Sequence, residues 1–212
     1  MSGAGQLLRI GVFGGAFDPP HIGHLGLARS AIAQLGLDRL LVIPTGFAWH
    51  KNFALSGAEH RLAMAALAFT GLPQAQVDAR ETLRSGPSYT LDTLRELRAE
   101  NREAQLYLLI GEDQARALHT WHDWQEIPEL AIICVAARAD STSESAQNRV
   151  ENADRFDALR AELPGLTVLN MPAMPISATH IRQRVASGES IAPLVFEPVA
   201  RYIDQHHLYR SN

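Results

Sequence analysis

The stretch Leu7-Leu8-Arg9-Ile10-Gly11-Val12-Phe13-Gly14-Gly15-Ala16-Phe17-Asp18-Pro19-Pro20-His21-Ile22-Gly23-His24 decides how the rest of the chain is read. Residues 7–13 make an apolar run of strand length, and the glycines and prolines that follow break it. From Ile22 onward, Leu25, Ala28, Ile32 and Leu35 recur at helical spacing until Gly36 supplies a stop. The order is therefore strand, phosphate-sized loop, helix. Gly14 and Gly15 let the backbone bend and approach a ligand closely, and the helix start offers unpaired N–H groups and a positive dipole end to an anion. His21 and His24 stand three apart, so on a helix they share one face and can donate to the same polyphosphate. A zinc pair or a helix cap would use the same histidines. Zinc needs further ligands at compatible spacing, however, and the lone Cys134 lies in an apolar run that reads as buried, so no metal ligand is assigned.

Neither G-x-G-x-x-G in its proper place nor a loop ending in Gly-Lys-Ser/Thr is present, which disfavours a dinucleotide dehydrogenase and a P-loop kinase. Further along, short apolar runs at 39–44, 76–78, 105–110, 131–136 and 166–169 alternate with helical patterns at 60–69 and 91–97, and a helix is expected near 155–163. Thr90 is placed to cap the 91–97 helix through its hydroxyl. Repeated β-α-β units of this kind predict a Rossmann-like, doubly wound parallel sheet covered by helices. Residues 139–152, rich in Ser, Asn and charge without apolar periodicity, read as a surface loop, either a plain linker or a substrate lid.

With 212 residues, a formal charge of −4 and one cysteine, the chain can bury a substantial core without a disulfide. It shows no signal-peptide pattern and no apolar run of membrane-spanning length, so a cytoplasmic protein without a membrane partner is expected. The slightly acidic balance argues against a nucleic-acid surface, because such affinity comes from Lys and Arg neutralising many phosphates. Phosphate binding must be local.

A second helix start carries the same chemistry. In Pro175-Ile176-Ser177-Ala178-Thr179-His180-Ile181-Arg182, Ser177 reads as an N-cap, and Thr179 and Arg182 follow in the first turns. Hydroxyls, backbone N–H groups and a planar guanidinium fork there converge on one anion.

These two elements resemble the nucleotidylyltransferase superfamily, with its His-x-Gly-His loop and its Ile-Ser-x-Thr-x-x-Arg-like helix start. Within it the chain is similar to the nicotinate mononucleotide adenylyltransferases. That likeness also covers Arg84-Ser85-Gly86-Pro87-Ser88-Tyr89-Thr90-Leu91-Asp92-Thr93-Leu94, Gly111-Glu112-Asp113 with Trp121 and Trp124, and the tail at 194–209. The resemblance implies one nucleotidylyltransferase domain over 1–212, with a small C-terminal helical portion at 175–212 completing the ATP site. It implies adenylyl transfer from ATP to nicotinate mononucleotide, with release of pyrophosphate, in NAD biosynthesis. Gly14, Gly15, Ala16, Phe17, His21, His24, Ser177, Thr179 and Arg182 would bind ATP, while Thr90, Gly111, Asp113 and Trp121 would hold the acceptor. Family members usually carry Ser or Thr where this chain has Ala16 and Ala178, so those contacts fall to backbone donors. Ala48-Trp49-His50-Lys51 departs from the usual prolines, which leaves the path of 44–51 open while keeping Lys51.

The implied attack needs no enzyme nucleophile, since the 5′-phosphate of the acceptor is already anionic, and no Ser–His–Asp arrangement is visible. His21, His24, Lys51 and Arg182 are the residues expected to align and neutralise the phosphates. Mg²⁺ is expected to arrive chelated by ATP. Asp18 lies near the loop, but its prolines favour a turn role over metal ligation. Two rivals remain: pantetheine-phosphate adenylyltransferase, which lacks the Gly-Pro-Ser-Tyr-Thr and tryptophan motifs, and a nucleotide-binding regulator without turnover. Oligomeric state is not legible.

Overall fold

A computed structural model describes residues 7–46, 55–138, 160–163, 165–172 and 174–210. Lys51, Trp49, the rest of the 47–51 segment, the 139–152 loop and most of the expected 155–163 helix lie outside the described residues; 160–162 are helical.

Six strands form one parallel sheet: β1 (Arg9–Gly15), β2 (Arg39–Pro44), β3 (Ala75–Val77), β4 (Gln105–Gly111), β5 (Ile132–Arg138) and β6 (Thr167–Met171). Their spatial order is β3-β2-β1-β4-β5-β6. The helices are α1 (Ile22–Leu35), α2 (Ala58–Phe69), α3 (Arg80–Leu83), α4 (Thr90–Glu100), α5 (Glu112–Arg116), α6 (Ile127–Leu130), α7 (Ala178–Ala186) and α8 (Glu197–Gln205). Side chains alternate across each strand, so the sheet has a core on both faces. Phe13, Leu40, Val42, Leu109 and Cys134 pack against α1, α2, α7 and α8. Ile10, Val12, Leu41, Leu108 and Val135 pack against α4, α5 and α6. This is the doubly wound fold expected from the alternating pattern.

The chain runs outward from β1 through β2 to β3, then returns to β4 on the other side of β1. Strand order reverses between β1 and β4, and a crevice opens at the carboxyl ends of the strands there. The loops after β1 and β4 both empty into it. Gly36, at φ 59° and ψ 48°, ends α1 in the left-handed conformation that a side chain would strain.

Three expectations need correction. β1 does not begin at Leu7: Leu7 and Leu8 are 59% and 40% exposed, and pairing with β2 starts only at Ile10. Its register instead continues through Gly14 and Gly15, opposite Ile43 and Pro44, so these glycines end the strand rather than form the loop. Parallel pairing to β2 outweighs the low strand preference of glycine. Thr90 is not the cap of α4; Tyr89 occupies that position with extended backbone and no side-chain cap bond, and Thr90 is the first helical residue.

Candidate active site

A cavity of about 610 Å³ fills the crevice between β1 and β4. Its walls include the end of β1, the starts of α1, α4, α5 and α7, and the turn at Trp121. Among the residues singled out by the sequence, Gly14, Gly15, Ala16, Phe17, His21 and His24 line it from one side, Ser177, Thr179 and Arg182 from a second, and Thr90, Gly111, Asp113 and Trp121 from a third. Residues separated by more than 150 positions therefore face one space.

His21 caps α1 with extended backbone, and its N–H donates to Nδ1 of His24 at 3.1 Å. That bond fixes the tautomer of His24: Nδ1 accepts, so the proton sits on Nε2 and the imidazole offers a donor from its far side. The two rings stack at 3.8 Å between centroids. Phe17 supports His24 with a ring contact at 5.0 Å and is itself 1% exposed, edge-on to Phe13 and Phe69. Its side chain therefore anchors the loop in the core, and only its backbone, held at φ 49°, is free for a ligand.

Asp18 has the turn role. Its carboxylate accepts from the Ser56 N–H at 3.0 Å and the Tyr209 hydroxyl at 2.6 Å, and its carbonyl accepts from Arg182 at 2.7 Å. Burial and the neighbouring Asp18 push the Tyr209 phenol far above its ordinary range, so it remains a donor. Arg182 also donates to Thr179 Oγ1 at 3.2 Å, and Ser177 Oγ accepts from the His180 N–H, as expected of an N-cap. α7 is thus tied to the loop after β1 through a guanidinium.

Arg61, 3% exposed, is a second such tie, and nothing in the sequence marked it. It donates to the carbonyls of Ala16 at 3.2 Å, Thr45 at 2.6 Å and Ser56 at 3.0 Å. Burial lowers its pKa, with Asp18 opposing the shift.

On the opposite wall, Trp121 lines the cavity and packs on the core behind it, whereas Trp124 packs on the core without lining this cavity. The rings of Tyr89 and His122 meet beside it at 4.3 Å between centroids, tilted by 30°. Glu81, 6% exposed, accepts from Thr93 Oγ1 at 2.8 Å; burial raises its pKa, with the Thr93 bond and Arg84 opposing. Met171 and Met174 add an apolar flank. Glu81 and the methionines escaped the sequence reading; only the placement of methionine among prolines just before the Ser177 cap pointed to the latter. Among the described residues, no group of three or more His, Cys, Asp or Glu side chains is placed to hold a metal ion. Likewise, no helix is long and apolar enough to cross a membrane.

The family model described as cytidylyltransferase-like matches residues 12–184. A protein of Albidiferax ferrireducens named "Probable nicotinate-nucleotide adenylyltransferase" is 57% identical over 203 residues, spanning 96% of this chain and 98% of that one. One of Methylibium petroleiphilum with the same name is 43% identical over 205 residues, spanning 95% and 92%. A solved structure of Plasmodium falciparum nicotinic acid mononucleotide adenylyltransferase complexed with NaAD superposes with a TM-score of 0.75 at 16% identity, covering 95% of this chain and 97% of that one.

Proposed function

Since the chain belongs to the cytidylyltransferase-like family and, within it, to the nicotinate-nucleotide adenylyltransferases, enzymes of NAD biosynthesis, we propose that it joins ATP to nicotinate mononucleotide by direct in-line attack without a covalent intermediate. The products are nicotinate adenine dinucleotide and pyrophosphate. One observation carries this reading: two helix starts bearing phosphate-binding groups and a third wall bearing an aromatic ring open into one cavity.

The 5′-phosphate of the mononucleotide attacks the α-phosphorus of ATP, and the bond to the departing pyrophosphate breaks. The protein has to align the two phosphates and neutralise charge as it shifts. His21 and His24 donate at the positive end of α1, where the Nε2–H of His24 is preset by its backbone bond. Arg182 offers its fork to the leaving group from the start of α7, and Lys51 is assigned to the same phosphates from the family resemblance. Gly14, Gly15, Ala16 and Phe17 contribute backbone, and Ser177 and Thr179 contribute the helix start. A magnesium ion chelated by the ATP phosphates would supply further neutralisation. The donor set suits an ion brought by the substrate, since both oxygens of Asp18 are already engaged.

Trp121 presents a face to the cationic pyridine ring. Thr90 and the backbone N–H groups opening α4 receive the nicotinate carboxylate, while Asp113, after Gly111 at the end of β4, takes a ribose hydroxyl. A pocket of N–H donors suits a carboxylate and meets an amide NH₂ with another donor. Pyrophosphate release from ATP should therefore be faster with nicotinate mononucleotide than with its amide, by roughly 10⁴ in kcat/KM. Comparable values would overturn the carboxylate pocket. ATP binding without release of pyrophosphate in the presence of either acceptor would make the protein a nucleotide binder without turnover.

A further inference from the structure

Two buried charged side chains, neither of them among the groups assigned to the substrates, hold the same peptide from opposite sides. The carbonyl of Thr45 accepts from Arg61, and the other half of the same peptide unit, on Gly46, packs directly against Glu81, where its N–H opposes the rise in the Glu81 pKa. A trans peptide points its carbonyl and its N–H in opposite directions, so this unit is a rigid spacer between the two ions. No side chain fits there: a Cβ on Gly46 would run into the Glu81 carbonyl and lie 2.6 Å from Ser88 Oγ.

Beyond each ion the contacts continue into a different wall of the cavity. Arg61 also holds the carbonyl of Ala16, and Thr45 N–H donates to the Gly15 carbonyl at 2.8 Å, so this end grips the end of β1 and the loop after it. Because the Ala16 carbonyl turns toward Arg61, the following N–H, on Phe17, turns away from it. Glu81 accepts from Thr93 in α4, whose hydroxyl also accepts from Arg84 at 3.3 Å, and the Glu81 carbonyl accepts from Ser88 at 3.5 Å. That end grips the segment leading into Tyr89 and Thr90.

We propose that Arg61 and Glu81 are positioning residues that keep the ATP subsite and the acceptor subsite in register through the Thr45–Gly46 peptide they share. The proposal rests on the two-substrate reading above. In-line transfer depends on the distance between two separately bound phosphates, and a displacement of about 1 Å can cost on the order of 10²-fold in rate. Each ion is 6% exposed or less, so water cannot substitute for a lost partner cheaply.

The test is a double-variant cycle on the intact protein with Arg61→Lys, Glu81→Gln and the pair, reading KM for each substrate, kcat, melting temperature and calorimetric affinity for ATP. Lysine keeps the charge without the planar fork, and Gln keeps the shape of Glu81 without its charge. Each single variant should lower kcat by at least about tenfold while remaining folded, and each should weaken the substrate on the far side: Arg61→Lys the mononucleotide, Glu81→Gln ATP. The double variant should lose less than the product of the two single losses, as for residues acting through one element. Additive losses, or effects confined to the near substrate, would overturn the proposal. If Arg61→Lys does not fold, Glu81→Gln decides alone, since unchanged ATP affinity in that variant refutes the coupling. Parent enzyme that released no pyrophosphate would refute the reaction instead, and the ATP affinity of Glu81→Gln would still decide the coupling.

Discussion

His24 shows how a single bond converts a common residue into a directed donor. By accepting the His21 N–H on Nδ1, its neutral ring must carry its proton on Nε2. Such preorganised donors act mainly on the transition state, and losing one costs on the order of 10²–10³ in rate. His24→Ala should therefore depress kcat far more than it weakens ATP binding; near-normal turnover would remove it from the mechanism. Glu81 allows a prediction of a different kind. Burial raises its pKa above the unfolded value, so its contribution to stability is full below the ordinary carboxylate range of about 4.3 and is lost as pH rises through the raised value. The melting temperature of Glu81→Gln should accordingly gain on the parent between pH values well below and well above that window. A constant offset across the range would show that Glu81 is not displaced. The pair His21 and His24 was legible because its spacing and its place just after a glycine-ended apolar run are local. Glu81, set among Asp78, Arg80 and Arg84, reads as part of a charged surface, and only packing buried it.

At the scale of elements, most boundaries followed from local signals. α1 runs from Ile22 to Leu35 because its apolar positions recur at helical spacing and Gly36 tolerates a positive φ. α4 starts one position earlier than the cap chemistry of Thr90 suggests, because the chain turns at Tyr89. After α8 the tail returns to the site: Tyr209, at φ 63°, inserts its hydroxyl beneath the loop after β1 and donates to Asp18. No local pattern in residues 206–210 announces this contact, because its partner lies 191 positions away. Tyr209→Phe leaves a buried carboxylate without one of its donors, which typically costs about 1–3 kcal/mol. Urea unfolding should report a loss of that order with an unchanged slope. A loss below about 0.3 kcal/mol, comparable to surface substitutions, would mean that the tail does not brace the loop.

At the scale of the whole molecule, alternating apolar runs and helical periods determined the class of the sheet and the identity of its strands, because burial on both faces demands continuous apolar strands and the crossovers demand helices. The two helix starts proposed to bind phosphate and the motifs proposed for the acceptor were likewise written locally, in short spacings. The ordering β3-β2-β1-β4-β5-β6 was not, since any strand can pair with several others until packing selects its neighbours. From that ordering comes the reversal between β1 and β4 that opens the cavity, and with it the joining of Ala16, Thr45, Arg61 and Glu81 into one buried chain of contacts. Residue type and short-range geometry, both readable along the chain, specify which groups are on offer for the proposed phosphate and ring contacts. Which of them share a space, and which charges are buried, is set by packing, because desolvation and long-range hydrogen bonds exist only once distant segments have come together.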